Sequence, residues 1–294
     1  MKIYLVDGTY ELFRAHFGAP PKKSASGQDV GATVGLIRSM LLLLSDPEVT
    51  HVAVAFDHVI ESFRNKMYKG YKSSEGVDPV ILNQFPLAEA AVKALGLVTW
   101  PQVRFEADDA IASAVVKFKK SKQVEQIVIC SVDKDLTQMV DGDRVICWDR
   151  RREILLDEKG VVEKFGVSPE SIPDYLALVG DSADGYPGIQ GWGEKSTAAV
   201  LAKYRHIENI PSDPAKLGLG LGRATTLLEN LQANYKDALL FRELSTLRTD
   251  VPLKETLDGL KWRGATPRLK KVCKELGSES IVERVKKWQS RRVN

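Results

Sequence analysis

Nine carboxylates within the first 184 residues have the types and spacing of a metal-dependent catalytic site. Three short apolar runs each lead into an aspartate, namely 3–6 into Asp7, 52–56 into Asp57 and 127–131 into Asp133. The other acids stand close together in the chain as Glu106, Asp108 and Asp109, as Asp135 beside Asp133, and as Asp181 and Asp184. Unpaired ions in a desolvated site would cost several kcal/mol each, so bound cations are expected among them.

The donor set indicates which cations and which reaction. Oxygen ligands without His or Cys favour hard ions, so we expect two Mg²⁺ ions, with Mn²⁺ as a substitute and zinc disfavoured. Two such ions about 3.5–4 Å apart can activate water, hold a phosphodiester and stabilise the leaving oxygen. The carboxylates therefore predict phosphodiester hydrolysis.

The elements that would position these acids alternate between strands and helices. The three apolar runs are typical of buried strands, and residues 107–118 place Ala107, Ile111, Ala114, Val115 and Phe118 on one helix face. This alternation predicts an α/β fold with a mostly parallel central sheet covered by helices. Ligands bind outside the carboxyl ends of such strands, so Asp7, Asp57 and Asp133 are expected to share one crevice. Residues 144–156 predict an antiparallel hairpin.

The chain changes character after Gly166, where helices and glycine-rich loops replace strands. We therefore expect three parts: 1–166 as the α/β domain, 167–260 as an all-helical domain, and 261–294 as a basic tail. That tail holds 11 Lys or Arg and 3 Glu, a net charge of +8, so the rest carries −5 of the overall +3. A polyanion partner and a solvated charged helix explain such a tail equally well.

Composition excludes several classes of protein. With 294 residues, 44% of them hydrophobic and 28% charged, the chain can bury a sizeable core, which argues against disorder. The longest apolar run, 40–44, is far shorter than the roughly 20 residues of a membrane span. Three cysteines without metal-ligand spacing support neither a disulfide framework nor a zinc site. We expect a cytoplasmic protein with no membrane partner.

Seven motifs, in order along nearly the whole chain, resemble the 5′ nuclease family, that is, the 5′→3′ exonuclease domain of bacterial DNA polymerase I and the flap endonucleases. They are 5–8 (LVDG), 55–57 (AFD), 63–64 (FR) with 71–72 (YK), 106–109 (EADD), 133–136 (DKDL), 180–184 (GDSAD) and 188–195 (GIQGWGEK). The resemblance implies a PIN-like or resolvase-like α/β domain and a helix–three-turn–helix subdomain.

The resemblance also implies roles for the charged residues of these motifs. Asp7, Asp57, Glu106 and Asp108 would surround a first metal ion, directly or through water. A second ion would be surrounded by Asp109, Asp133, Asp135, Asp181 and Asp184. Lys72 and Arg64 stand at the family's positions for catalytic cations on the scissile phosphate, where Lys72 would offset transition-state charge.

The segment 188–195 resembles the DNA-gripping loop of the family. Its glycines, Gly188, Gly191 and Gly193, would let backbone amides approach phosphates, and Lys195 and Lys203 would add charge without reading bases. A plain helix–loop–helix is the alternative for this segment alone. Family members often hold K⁺ in this loop, and the resemblance leaves K⁺ binding by this chain open.

An arch over residues 72–84 would admit single-stranded 5′ ends, and here the chain departs from the family. Glu75 stands where an arginine is common, and no further cation follows it in the segment. Strand capture is therefore expected to be weaker or differently arranged. Tyr71 is a candidate for stacking on bases, with core packing as the alternative.

Taken together, these features predict a structure-selective 5′→3′ exonuclease and flap endonuclease of replication and repair, acting as a stand-alone monomer associated with the nucleoid. Its expected partner is DNA with a 5′ flap, a nick or a free 5′ end, and an RNA primer is a further substrate left open. Specificity would come from shape and backbone contacts, so binding would fall steeply with salt.

Three rivals are weaker. A haloacid-dehalogenase-like phosphatase matches residues 180–184 but needs a second aspartate two positions after its nucleophile, where this chain has Thr9. A nonenzymatic DNA-binding relic of the same fold would lack some of the carboxylates, and none is missing. A PIN-type ribonuclease would not need the glycine-rich loop.

Overall fold

The computed structural model describes residues 1–290 and divides the chain into two compact units. Unit 1 comprises Met1–Ile60, Ser74–Ser131 and the chain from Thr249 onward. Unit 2 comprises Glu61–Ser73 and Val132–Arg248. The contiguous division into 1–166, 167–260 and 261–294 stays a prediction, and residues 291–294 of the basic tail lie outside the described residues.

Unit 1 is built on a parallel sheet. Its strands are β1 (Lys2–Asp7), β2 (His51–Asp57), β3 (Val98–Gln102) and β4 (Gln126–Cys130). They lie in the order β3-β2-β1-β4, and Val6 is level with Val54 on one side and Cys130 on the other. The strands are apolar along most of their length because both faces of a parallel sheet are covered.

Helices cover this sheet. Those of unit 1 are α1 (Gly8–Gly18), α2 (Gly31–Leu43), α4 (Pro79–Leu82), α5 (Phe85–Ala94), α6 (Ala107–Lys119), α12 (Leu257–Leu260) and α13 (Arg268–Glu275). Helix α6 packs on all four strands of unit 1, and its predicted apolar face, from Ala107 to Phe118, is buried. The predicted α/β architecture with a mostly parallel, helix-covered sheet is confirmed.

Unit 2 combines a hairpin with helices. Its elements are α3 (Arg64–Met67), β5 (Val145–Asp149), β6 (Ile154–Leu156), α7 (Glu158–Phe165), α8 (Ile172–Val179), α9 (Glu194–Tyr204), α10 (Leu221–Ala233) and α11 (Tyr235–Ser245). The predicted antiparallel hairpin is confirmed, with Cys147 paired to Leu156. Helix α8 packs against α9 and α11, which confirms the predicted helical character of the chain beyond residue 166.

None of the helices in residues 1–290 is long and apolar enough to cross a membrane.

Candidate active site

Asp7 is the last residue of β1, and its carboxylate organises the turn into α1. One oxygen, Oδ1, accepts a hydrogen bond from the N–H of Tyr10 at 2.8 Å, so Asp7 caps the helix that follows. The other oxygen accepts from the hydroxyl of Ser131 at 2.8 Å. The carboxylate is therefore held at the carboxyl end of the strand, where parallel sheets bind ligands.

Asp57 ends β2 at the same edge of the sheet, since Asp7 is level with Ala55 in the parallel register. Its backbone N–H donates to the hydroxyl of Thr9, and its carboxylate accepts from the N–H of Ala107 at 2.7 Å. The second bond joins the end of β2 to the first residue of α6. Acids at the start of α6 are thereby brought to the edge that carries Asp57.

Those acids form a capping box at the start of α6. The backbone N–H of Glu106 donates to the carboxylate of Asp109 at 2.9 Å, and the Glu106 side chain accepts from the backbone of Asp109. Asp109 is fully buried, Glu106 is buried and Asp108 is half-buried. Unit 1 thus gathers its five predicted metal ligands at the carboxyl edge of its sheet. The shared crevice with Asp133, which belongs to unit 2, stays a prediction.

Unit 2 holds the remaining four predicted ligands. Asp135 is buried at the start of a 3₁₀ turn, and its N–H donates to the carboxylate of the exposed Asp133 at 3.0 Å. Asp181 and Asp184 are both buried in the loop after α8. The Asp181 carboxylate accepts from the N–H of Ala183 at 2.8 Å, which closes a tight turn between the two acids.

Two lysines bring positive charge among these aspartates. The ammonium of Lys134 lies 2.5 Å from a carboxylate oxygen of Asp181, and that of Lys72 lies 3.1 Å from one of Asp184. The second oxygen of Asp184 accepts from the hydroxyl of Tyr71 at 3.2 Å. Tyr71 is buried, so its ring packs inside unit 2 in this structure, and its predicted contact with DNA stays a prediction.

The electrostatics of unit 2 show that its carboxylates are crowded. Burial, followed by the charges of Asp133, Asp184 and Asp181, raises the pKa of Asp135 well above its ordinary value, and Lys72 opposes that shift. Four aspartates against two lysines leave two negative charges in excess when all six groups are ionised. The cluster therefore favours binding of additional positive charge.

In residues 1–290, the structure does not arrange three or more His, Cys, Asp or Glu side chains so that together they could hold one ion. The chemistry of the donors nevertheless fits a hard divalent cation, because every predicted ligand is a carboxylate. The crowding at Asp135 supplies a physical reason for such an ion to bind.

Arg64, predicted to contact the scissile phosphate, is only 1% exposed. Its Nε donates to the carbonyl of Leu244 at 2.7 Å and its Nη2 to that of Thr246 at 3.2 Å. The guanidinium thus ties α3 to the end of α11 within unit 2. A contact with phosphate would require a change of conformation, and that role stays a prediction.

Sequence reasoning missed three residues that position the predicted ones. Asn65 donates from Nδ2 to the carbonyls of Tyr71 and Lys72, Ser131 donates to Asp7, and Lys134 pairs with Asp181. Lys134 could have been found, because a lysine between two aspartates signals local charge compensation. Asn65 and Ser131 carry no such signal. The partner of Ser131 is 124 residues away in the chain, and the partners of Asn65 are backbone carbonyls, which no residue type reveals.

The glycine-rich loop leads from α8 into α9. Gly188 has φ +72°, and a Cβ on it would lie 2.4 Å from the N of Gly180 and 2.6 Å from the carbonyl O of Leu178. Gly193 is the N-cap of α9, and nothing lies within 4 Å of where its Cβ would be. Gly188 is thus required by packing, whereas Gly193 borders open space at an electropositive helix start.

Hydrogen bonds to residues of α10 hold other parts of this loop in place. Trp192 is buried and donates from its indole N–H to the carbonyl of Leu227 at 2.9 Å, and Asn230 donates to the carbonyl of Gln190. Gly191, with φ +84°, is exposed, as is Lys195 in the first turn of α9. Lys203 is also exposed and donates to the carbonyl of Lys216 at 3.1 Å.

The arch over residues 72–84 stays a prediction, and the structure assigns its residues from Ser74 onward to unit 1. Within unit 1 it contains α4, whose N-cap Asp78 accepts from the N–H of Val80 and lies 3.3 Å from the ring of His16. Glu75 is exposed. Asp78 therefore has a structural task, and the effect of Glu75 on strand capture stays a prediction.

Comparisons with known proteins agree with this architecture. The sequence model described as "5′-3′ exonuclease, N-terminal resolvase-like domain" matches residues 2–166, and the one described as "5′-3′ exonuclease, C-terminal SAM fold" matches residues 167–268. A 5′-3′ exonuclease of Aquifex aeolicus is 33% identical over 97% of this chain and 95% of its own. DNA polymerase I of Rhizobium leguminosarum is 35% identical over 88% of this chain but only 26% of its own length.

Solved structures share the fold at low sequence identity. A T5 5′-exonuclease with bound zinc has a TM-score of 0.65 and 19% identity, with 97% of both chains covered. The catalytic core of Rad2 in complex with a DNA substrate has a TM-score of 0.62 and 13% identity, covering 97% of this chain and 91% of that one. Together, the two family models span most of the chain and confirm the resemblance noted in its motifs: the chain belongs to the 5′-3′ exonuclease family.

Proposed function

We propose that this chain is a structure-selective 5′ nuclease, a 5′→3′ exonuclease and flap endonuclease that hydrolyses DNA phosphodiesters near 5′ ends with two divalent ions. The observation that carries the proposal is the network of unit 2, where Asp135, Asp181 and Asp184 are buried together beside Lys72 and Lys134. An excess of buried carboxylate with ammonium groups at its margin suits metal-assisted reaction on a phosphate.

Mg²⁺ is the proposed ion, with Mn²⁺ as a substitute. One ion would be held by Asp7, Asp57, Glu106 and Asp108, and the other by Asp109, Asp133, Asp135, Asp181 and Asp184. When bound, the two ions would supply an activated water and stabilise the charge of the leaving oxygen. The zinc bound to the T5 5′-exonuclease supports divalent-ion binding in this fold without identifying the ion used here.

The chain's own residues would orient the substrate. The ammonium of Lys72 is only partly exposed and would offset charge that develops on the phosphate, a role in which Arg64 is a second candidate. The loop with Gly188, Gly191 and Gly193, together with Lys195 and Lys203, would hold the DNA backbone without reading bases. The catalytic core of Rad2, which shares the fold, has been solved in complex with a DNA substrate, and this supports DNA as the ligand. K⁺ in this loop is a further proposal, supported by the family resemblance alone.

We place this activity in the removal of 5′ flaps and primers during replication and repair, in the cytoplasm and at the nucleoid. The substrates would be flapped, nicked or free 5′ ends, with RNA primers included, and the enzyme would work as a monomer. The chain spans about a quarter to a third of the DNA polymerase I relatives that it matches, so the activities of their remaining parts are not assigned to it.

A phosphatase of the haloacid dehalogenase type is the alternative, and one contact weighs against it. Its general acid would stand at Thr9, but the hydroxyl there accepts a hydrogen bond from the backbone N–H of Asp57 at 2.8 Å. The position is occupied by a structural tie between α1 and the end of β2. It offers no carboxyl group for proton transfer.

The deciding experiment measures cleavage of a labelled 5′-flap duplex as a function of Mg²⁺ concentration. Asp133→Ala should abolish most cleavage, while Asp237→Ala, which removes another exposed aspartate, from α11, should leave it unchanged. A small phosphate ester is offered as the rival substrate. Ester turnover without flap cleavage would overturn the proposal, as would equal cleavage by the two variants.

A further inference from the structure

An open cleft of about 780 Å³ lies in unit 1 among residues that the proposed active site does not use. Its lining combines basic, aromatic and amide side chains, among them Lys261, Trp262, Arg263, Lys287, Trp288 and Gln289. We call it the tryptophan cleft. Lys261, Arg263 and Lys287 are exposed, and Trp288 is half-buried, so the cleft presents both charge and aromatic surface to solvent.

The walls of the tryptophan cleft are fixed by hydrogen bonds. On one side, the backbone N–H of Trp262 donates to the carbonyl of Thr50 at 2.7 Å, and its indole N–H donates to that of Leu95 at 2.9 Å. On the other side, Ala265 donates to Lys287 and accepts from Gln289, which pins the segment that carries Trp288. A binding surface that is already ordered loses little entropy when a ligand arrives.

Positive charge is concentrated on these walls. The ammonium of Lys287 lies 5.5 Å from the ring centroid of Trp262, and that of Lys270 lies 5.4 Å from the ring centroid of Trp288. Residues 261–290 contain nine Lys or Arg and three Glu, whereas the chain as a whole has a net charge of only +3. The cleft is therefore lined by a basic segment, residues 261–290, and it also exposes part of the ring of Trp288.

The position of the cleft separates it from the carboxylates of unit 1. The backbone of Lys261 pairs in an isolated antiparallel β-bridge with His51, the first residue of β2. Asp57 is the last residue of the same strand. A strand of seven residues spans about 20 Å at roughly 3.3 Å per residue. The cleft lies at the amino edge of this sheet and the five predicted ligands of unit 1 lie at its carboxyl edge, so the cleft and these five carboxylates cannot share one phosphate.

We propose that the tryptophan cleft is a second nucleic-acid site, which binds a single-stranded segment remote from the cleaved bond. Lys261 and Lys287 contact its phosphates, and Trp288 contacts a base. Arg263 lies at the edge of the cleft and pairs with Asp258 at 2.8 Å, so it is not counted among the phosphate contacts. Single strands fit better than duplexes, because only an unpaired strand offers base faces to an aromatic side chain. An acidic peptide would use the same cations but would gain nothing comparable from the ring. The identity of the ligand as nucleic acid rests on the proposed function.

The test is binding of a fluorescent oligo-dT to the full chain in EDTA, where metal-dependent cleavage does not interfere. Lys261→Gln combined with Lys287→Gln should reduce the slope of log K against log salt by about 1.4, or about 0.7 for each lost phosphate contact. Lys120→Gln combined with Lys122→Gln removes two exposed lysines elsewhere in unit 1 and should leave the slope unchanged.

The aromatic contact has its own variant. Trp288→Leu should weaken oligo-dT binding about 5- to 150-fold, and Trp288→Phe, which keeps a ring, should restore most of it. Circular dichroism of each variant checks that it is folded, and quenching of wild-type tryptophan fluorescence by oligo-dT gives a readout that needs no variant. Equal binding by the two double variants, absence of quenching, or preference for poly-glutamate over oligo-dT would overturn the inference. Failure of the proposed function would appear separately, as absence of flap cleavage in Mg²⁺.

Discussion

Lys72 and Asp184 are joined twice: the ammonium lies 3.1 Å from a carboxylate oxygen of Asp184, and the backbone N–H of Lys72 donates to the Asp184 carbonyl at 2.9 Å. Asn65 adds a third restraint by donating to the carbonyl of Lys72. The position of this lysine is thus set by the loop that carries two of the predicted metal ligands. A change that moves the loop should also move the lysine.

Lys72→Gln should lower the rate of flap cleavage about 10²- to 10³-fold, the cost of removing one group that stabilises transition-state charge. The loss should fall on kcat, because such a group acts more strongly on the transition state than on bound substrate. Single-turnover cleavage at saturating enzyme measures it directly. Lys69→Gln removes a nearby exposed lysine of the same unit and serves as the control. A change confined to KM would show that Lys72 only helps to bind DNA.

Lys134→Met should destabilise the metal-free chain by about 1 kcal/mol, because Asp181 is buried while the lysine is 42% exposed. Burial lowers the pKa of Lys134, but its hydrogen bond to Asp181 and the surrounding aspartate charges outweigh this and raise it overall. A raised lysine pKa contributes stability that is fully present below the ordinary value of 10.5 and is lost as the pH rises through the folded value. Urea unfolding in EDTA should therefore show the same difference at pH 7 and pH 9.

Added Mg²⁺ should raise the free energy of unfolding of Lys134→Met more than that of the wild type, because the ion would balance the charge of Asp181 in place of the missing ammonium. Lys159→Met is the matched control, since that lysine is 82% exposed and pairs with Glu163 one turn further along α7. It should change stability by less than about 0.5 kcal/mol. Identical unfolding curves for the two variants would contradict the importance of the Lys134–Asp181 pair.

The sequence predicted those parts of the structure that follow from local periodicity. Asp7 and Asp57 end strands of a parallel sheet, the face from Ala107 to Phe118 is buried, and residues 145–156 contain the expected hairpin. Each feature depends on alternation or spacing within a short window, where side-chain direction is dictated by the backbone. The assignment of the remaining acids as metal ligands rests on the family motifs and stays a prediction.

Features that depend on remote packing could not be predicted in this way. Residues 61–73 group with 132–248, although more than 50 residues separate them in the chain, and no periodicity records that grouping. Arg64 is buried because its guanidinium donates to the carbonyls of Leu244 and Thr246. The sequence alone would predict an exposed side chain, since arginine is mostly found at the surface. The tryptophan cleft likewise needs Thr50 and Leu95 to be in place before Trp262 can form its wall.

Arg64→Met should destabilise the chain by about 2–4 kcal/mol, because it leaves two carbonyls at the end of α11 without these donors. Arg64→Lys should recover part of the loss, since a lysine keeps the charge but cannot reproduce the fork of the guanidinium. Thermal unfolding and flap cleavage are measured on the same samples. Unfolding at the wild-type temperature combined with lost cleavage would instead assign the guanidinium to the scissile phosphate.

Gly188→Ala and Gly193→Ala make a matched pair within one loop. At Gly188 the new Cβ would lie 2.4–2.6 Å from backbone atoms of Gly180 and Leu178, and the residue would have to keep a left-handed conformation. The free energy of unfolding should therefore fall by more than about 1–2 kcal/mol. At Gly193, with φ −95° and open space around the Cβ position, stability should be close to wild type. Urea titration of both variants measures the difference, and equal stabilities would contradict the close packing of this loop against α8.

Gly193→Ala should nevertheless weaken binding to duplex DNA. If backbone amides at the start of α9 approach phosphates, an added methyl group occupies space that a phosphate needs, although it disturbs nothing in the free chain. Gel-shift titrations in EDTA with a blunt duplex measure this loss. Lys216→Ala is the control for general surface charge. It removes the ammonium of Lys216 but keeps the backbone carbonyl that accepts the hydrogen bond from Lys203. Undiminished duplex binding by a stably folded Gly193→Ala chain would mean that DNA does not approach this helix start.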